Sequence, residues 1–381
     1  MDSNHSVPVT SLFFEEVKLD LDNNFHPCME KLHQEISDNV EQIREEIIAR
    51  EWVKIFDGTI LDVPVLGADA STVSRDYGEI STALAVGVVS STCEEIKPKY
   101  FFQSVYGTSS ETFNKVASYL RVAQELAALR YTCESGQWVM YDGSFTSLNW
   151  DLCKFAAAMP KDDTTGDDPD FLEWELVQYI YERCLLNRDS DWFSVFGGRG
   201  GTGAEKLISI SKKGISKFYS KQLKALSGII KTAFIPSDKL ILGLALKAGE
   251  YTKPVTYEQV FESSHGSKVQ GYGKPHTADK SLETQHQQVE LTFKNMQIVN
   301  FRPWPWSSVM TIHYNKQVCE LDEVLGVVQA QTKTRSIMEP MPLYLADLLS
   351  KQATSVISLY GEVNVGRYPK LFSSFRTSAR R

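Results

Sequence analysis

Apolar positions along the chain fall into two periods. From about Met29 to Ile47, the residues Met29, Leu32, Ile36, Val40, Ile43 and Ile47 recur at intervals of three and four, separated by Glu, Lys, Gln and Arg. This pattern predicts an amphipathic helix with a near-heptad stripe, buried either on its own domain or against a dimer or other partner. Shorter runs follow. In WVKIFDGTILDVPVLGADAST, Asp57-Gly58 lies between two apolar runs and predicts a hairpin turn, and the second run, Ile60 to Ala68, ends in Asp69-Ala70-Ser71. ALAVGVVSS and YFFQSVY predict two more strands. Thr108-x-x-Glu111 has capping-box spacing, and Phe113, Val116, Ala117, Leu120, Ala123 and Ala127 continue it as a helix to about Tyr131. The next strand, WVMYD, stops at Asp142-Gly143-Ser144. Further on, KLILGLAL, VELTFKN and VMTIHYNK predict strands and PLYLADLLSKQA a late helix, with no internal repeat.

At 381 residues, 42% apolar and 23% charged, the chain has the balance of a globular protein with a large core. No run approaches eighteen apolar residues, and the first residues lack the basic start and apolar core of a signal peptide, so no membrane span and a cytoplasmic location are expected. Six cysteines without CxxC or CxxH spacing are expected to be reduced, packed thiols. The net charge of -8 excludes a uniformly basic coat. One segment reverses that sign: Lys206 to Lys231 holds seven lysines and no acid, either lining a nucleic-acid backbone or forming a solvated amphipathic helix. KDDTTGDDPD lacks the alternating oxygen ligands of a calcium loop, and GGRGGTG lacks the Gly-Lys-Ser/Thr ending of a phosphate loop, so a solvated linker and a flexible loop are expected.

The candidate chemistry lies in three carboxylates. Asp69 ends a first strand, Glu125 sits on the following helix and Asp142 ends a later strand. A ribonuclease H-like sheet gathers divalent-metal ligands from such positions. Crowded carboxylates repel one another and resist ionisation unless a cation sits among them, and hard cations such as Mg²⁺ and Mn²⁺ take oxygen ligands. Two such ions roughly 3.5 to 4 Å apart can serve the attacking and leaving oxygens of a phosphodiester. The plainer alternatives are a strand-ending turn for Asp142-Gly143 and a solvated helix position for Glu125.

AlaAspAlaSer at 68–71, Glu125, TyrAspGlySer at 141–144, IleSerLysLys at 210–213 and Pro340-Met341-Pro342-Leu343-Tyr344-Leu345-Ala346-Asp347 occur in an order that resembles the NurA nuclease family. The resemblance spans about residues 57 to 350 and carries two departures: Ala70 stands where the family has glycine, and Asp347 where it has histidine. It implies an α/β fold with a ribonuclease H-like mixed sheet flanked by helices. An N-terminal helical segment, 1–56, would precede a nuclease domain, 57–381, with an insertion at about 151–205. It further implies a homodimeric, Mn²⁺- or Mg²⁺-dependent DNA nuclease that docks on a hexameric HerA-type ATPase for DNA end processing or anti-phage defence. A weakened site acting only as an adaptor between the translocase and DNA is the alternative, kept open by Asp347. The expected ligands are Asp69, Glu125, Asp142 and Asp347. Lys212 would neutralise the scissile phosphate, and Lys213, Lys217, Lys221 and Lys224 would follow the DNA backbone. Arg302, Trp304 and Trp306 could stack on bases or form a packed loop, and His313 could be structural or supply an imidazole.

Overall fold

Strand pairing in this chain is decided by which apolar runs can be covered on both faces. In the computed structural model, residues 16–27, 30, 34, 37–77, 80–93, 95–108, 111–133, 135–158, 174–186, 189–197, 206–211, 216–224, 237–265 and 283–367 are described. The strands are β1 (Val53–Ile55), β2 (Val65–Tyr77), β3 (Ile80–Ser91), β4 (Lys99–Thr108), β5 (Trp138–Asp142), β6 (Leu207–Ser211), β7 (Glu250–Thr252), β8 (Val255–Thr256), β9 (Met296–Phe301) and β10 (Met310–Asn315). The α-helices that matter below are α1 (Val40–Ala49), α2 (Glu111–Cys133), α3 (Phe145–Ala158), α4 (Trp174–Tyr181), α5 (Asp191–Phe196), α6 (Asp238–Ala245), α7 (Tyr257–His265), α8 (Glu283–Lys294), α9 (Leu321–Gln331) and α10 (Met341–Arg367).

All ten strands form one mixed sheet in the order β1-β7-β9-β10-β6-β5-β2-β3-β4, with β8 paired to β9. β2, β3 and β4 make an antiparallel meander, whereas β5 runs parallel to both β2 and β6. A parallel link needs a crossover, and α2 supplies the one between β4 and β5. Helices cover both faces, so the central strands are apolar throughout rather than alternating. On one face Ala68, Ala85 and Tyr141 pack with Leu120 and Leu126 of α2 and Phe145 of α3. On the other, Val65, Met140, Ile208, Ile210 and Ile312 pack with Val324 and Val328 of α9 and Leu343 of α10. The mixed sheet flanked by helices therefore matches the expected class.

Four local expectations are corrected. Asp69 does not end its strand, because β2 continues past it to Tyr77 and stays paired with β3. KLILGLAL is helical: Ser237 caps α6 by accepting from the Leu240 N–H, and Ile241, Leu242 and Ala245 are buried at helical spacing. VELTFKN belongs mostly to α8, with Val289 and Phe293 one turn apart in the core, and the strand comes just after it, at β9. Asp57-Gly58 does not close a hairpin. β1 pairs with β7, and the chain between β1 and β2 instead lays Phe56, Leu61 and Val63 against the core beneath α9. The loop of acids at 161–170 and the glycine-rich 198–203 lie outside the described residues. Of the N-terminal stripe, Ile43 and Ile47 are buried against Ile241 and Ala245 of the same chain, and Arg44 grips Glu250 with two hydrogen bonds of 2.8 and 2.7 Å.

α10 lies directly on β2. A Cβ at Gly67 would overlap the Pro342 carbonyl oxygen at the start of that helix, so only glycine permits this approach. Gly67→Ala is expected to push α10 off the sheet and cost about 1–3 kcal/mol. It would be measured as a lower urea midpoint at unchanged slope; an unchanged midpoint would show that the contact is not tight.

Candidate metal centre

The parallel register sets Ala68 beside Tyr141, so the next residues, Asp69 and Asp142, stand side by side on adjacent strands. Strand alternation turns both carboxylates to the face covered by α10. That helix runs along β2 from Pro342, beside Gly67, to Ser350 and Thr354, both hydrogen-bonded to Ser71, and so carries Asp347 over the same spot. Carboxylate oxygens of Asp69, Asp142 and Asp347 lie within 4.8 Å of one another. Three hard oxygen donors at this spacing could hold a divalent metal ion.

Surrounding groups aim these acids. Ser350 donates from Oγ to Asp69 Oδ2 at 2.7 Å, and Lys351 donates to Asp347 Oδ2 at 2.7 Å. The turn after Asp142 is pinned to β6, with the Gly143 N–H donating to the Ile210 carbonyl at 3.2 Å and Ser209 Oγ donating to the Gly143 carbonyl at 2.6 Å. Asp69 is buried, and burial is the main cause of a carboxyl pKa pushed up to about 6; the charges of Glu125 and Asp347 add to it, against the Ser350 hydrogen bond.

Glu125 reaches the site from the α2 layer, across the sheet, and does not belong to this group of three. Both of its oxygens are engaged: Arg121 Nη1 donates to Oε2 at 2.8 Å and Tyr141 Oη donates to Oε1 at 2.6 Å. Burial raises its pKa, while Arg121 and then Tyr141 oppose that rise. The glycine of the Asp-Gly-Ser turn serves this contact, because a Cβ at Gly143 would overlap the Tyr141 ring as it folds back towards Glu125. The sequence analysis assigns no role to Arg121 or Ser350, and Tyr141 enters it only as the first residue of the TyrAspGlySer motif. Arg121 was discoverable from its i,i+4 spacing to Glu125, whereas Ser350 needed the fold.

Lys212 and Lys213 lie outside the described residues. Lys217, Lys221 and Lys224 occur in a segment that is not one continuous helix; Asp238 holds it by accepting from Ser216 Oγ, the Phe218 N–H and the Ser220 N–H. His313 is buried on the α2 side of β10, against Phe145, and so faces away from Asp347; burial alone lowers its pKa to about 3. The Arg302, Trp304 and Trp306 cluster is a packed loop at its base: Arg302 donates to the Leu246 carbonyl at 2.9 Å and Trp304 Nε1–H to the Gln329 carbonyl at 3.2 Å.

No family model matches the chain, and no curated protein does. Solved structures do. The NurA nuclease from Sulfolobus solfataricus is 13% identical with a TM-score of 0.51, covering 93% of this chain and 97% of its own. A NurA structure with manganese has a TM-score of 0.52 at 12% identity, covering 88% of this chain and 97% of that one. NurA bound to dAMP and manganese has a TM-score of 0.50 at 10% identity, covering 84% and 92%. At such identities the likeness is one of fold: the chain shares the architecture of the NurA nuclease structures over most of its length. Among the described residues no helix is long and apolar enough to cross a membrane.

A carboxyl whose folded pKa is about 6 against an ordinary value of 3.8 binds protons more tightly in the folded state. Its ionisation therefore lowers stability as pH rises from about 4 to about 6, by up to about 3 kcal/mol, and the loss persists above that range. Asp69→Asn, still able to accept from Ser350, is expected to raise the metal-free melting temperature at pH 7.5 and to change it little at pH 4. A uniform shift across that range in a thermal scan would contradict the assigned cause.

Proposed function

We propose that the protein is a divalent-metal-dependent deoxyribonuclease. The observation that carries this reading is the convergence of Asp69, Asp142 and Asp347 on one spot of a NurA-like fold. Those three residues would hold Mn²⁺ or Mg²⁺. Asp347 thus serves as an oxygen ligand at the position where the family resemblance has histidine, and Glu125 stands beside the group as a fourth acid. When bound, the ion supplies Lewis-acid polarisation of the phosphodiester and offsets the charge that develops on it.

The chain's own groups do the positioning. Ser350 holds one oxygen of Asp69, the pinned Gly143 turn fixes Asp142, and α10 brings Asp347 across. Ser211 ends β6 just beyond the level of Asp142, which supports Lys212, the next residue, as the cation that meets the scissile phosphate. Lys213, Lys217, Lys221 and Lys224 are proposed to follow the DNA backbone from there. The family resemblance extends the proposal to a cytoplasmic homodimer working with a HerA-type hexameric ATPase in DNA end processing or anti-phage defence.

The test is cleavage of linear single- and double-stranded DNA by the purified protein with Mn²⁺, with Mg²⁺ and with EDTA. Cleavage is expected only with metal, and Asp142→Ala is expected to lower it by more than about a hundredfold while remaining folded. Cleavage that survives the substitution would remove the site from the mechanism. Absence of cleavage even with the cognate ATPase would leave a non-catalytic adaptor between translocase and DNA.

A further inference from the structure

Across the sheet from the three aspartates, within electrostatic reach of Asp69, lies a cation to which no part of the function above assigns a role. Arg121, on α2, has a side chain about one-third exposed (34%) whose two terminal nitrogens are held unequally. Nη1 is fixed on the buried Glu125 at 2.8 Å, and Glu125 is itself locked by Tyr141. Nη2 reaches only Asp151 Oδ2, at 3.4 Å, well beyond the usual 2.7–2.9 Å of a charge-assisted hydrogen bond. Asp151 lies on α3, the helix that opens three residues after Asp142, and its side chain is 30% exposed. On that helix Lys154, one turn after Asp151, sits over the ring of Trp150, the residue before Asp151, at 5.4 Å, and Trp150 is exposed. The chain of contacts on the α2 side of the site is therefore Glu125, Arg121, then Asp151, with a lysine and an exposed aromatic ring near it on α3.

We propose that Arg121 is a phosphate-binding residue of the nuclease site, aimed by Glu125 and guarded by Asp151. The proposal rests on the nuclease reading. A phosphodiester brings two unesterified oxygens to a guanidinium fork, a better match than the single distant oxygen of Asp151, which would be displaced toward Lys154. Glu125 acts through Arg121 and is a positioning residue in this scheme. Its buried charge keeps one guanidinium nitrogen occupied, so the other stays turned outward.

The test is binding of a fluorescein-labelled single-stranded oligonucleotide by anisotropy in EDTA, across a NaCl series. Arg121→Met combined with Glu125→Gln leaves no buried carboxylate stranded. It is expected to weaken binding about tenfold, and to reduce the slope of log affinity against log salt by about 0.7, the loss of one phosphate contact. Asp151→Asn is expected to tighten binding beyond any change caused by Glu111→Gln, an exposed acid at the far end of α2. Wild-type affinity and slope in a folded double variant would overturn the proposal. If that variant does not fold, Asp151→Asn decides: tighter binding supports the proposal, and unchanged or weaker binding overturns it. A wild-type protein that cleaves DNA while the double variant binds normally refutes only the role of Arg121. One that never cleaves, while the variants shift binding as expected, refutes only the nuclease reading.

Discussion

The burial and crowding of carboxylates at one place is the constraint on which the rest of this structure depends. Asp69, Asp142 and Asp347 bring oxygens within 4.8 Å of one another on a partly buried patch, and Glu125 adds its field from the other side of the sheet. Burial first, and then the charges of Glu125 and Asp347, push the pKa of Asp69 up, so keeping it ionised without a cation works against folding. It persists because rigid elements leave these side chains little freedom to separate. The β2–β5 register fixes two of them, and close packing of α10 over Gly67 fixes the third.

The chain relieves part of this repulsion with its own cations and withholds the rest. Arg121 neutralises Glu125, and Lys351 reaches Asp347 from an exposed position one turn along α10. Asp69 has no cation at ion-pair distance among the described residues, and its hydrogen bond comes from a neutral serine. The charge left without a cation at ion-pair distance is thus that of Asp69, where a divalent ion would gain most. Stability given up at one point of the fold becomes affinity for a cation at that point.

Asp142 is legible because an apolar strand that ends on a carboxylate is a physical anomaly, whereas Asp69 is legible only as the acid that follows the apolar run ending at Ala68, since β2 continues past it to Tyr77. Glu125 was visible through its place on a strongly periodic helix, and Asp347 through its neighbours in the resemblance. What local pattern could not reveal was the sheet face. Glu125 and the aspartates sit on opposite layers, so its engagement with Arg121 and Tyr141 appears only once α2 is packed. The misread segments have a common cause. KLILGLAL and VELTFKN are short apolar runs that fit either period, and capping by Ser237 and the spacing of Val289 and Phe293 resolve them as helix. Asp57-Gly58 has the composition of a hairpin turn, but burial of Leu61 and Val63 under α9 outweighs the local preference.

The most direct test of the account is anomalous diffraction from a crystal of the protein soaked in manganese. A peak at the side chains of Asp69, Asp142 and Asp347 is expected. A peak coordinated elsewhere, or an empty cluster at a manganese concentration that supports DNA cleavage, would contradict it.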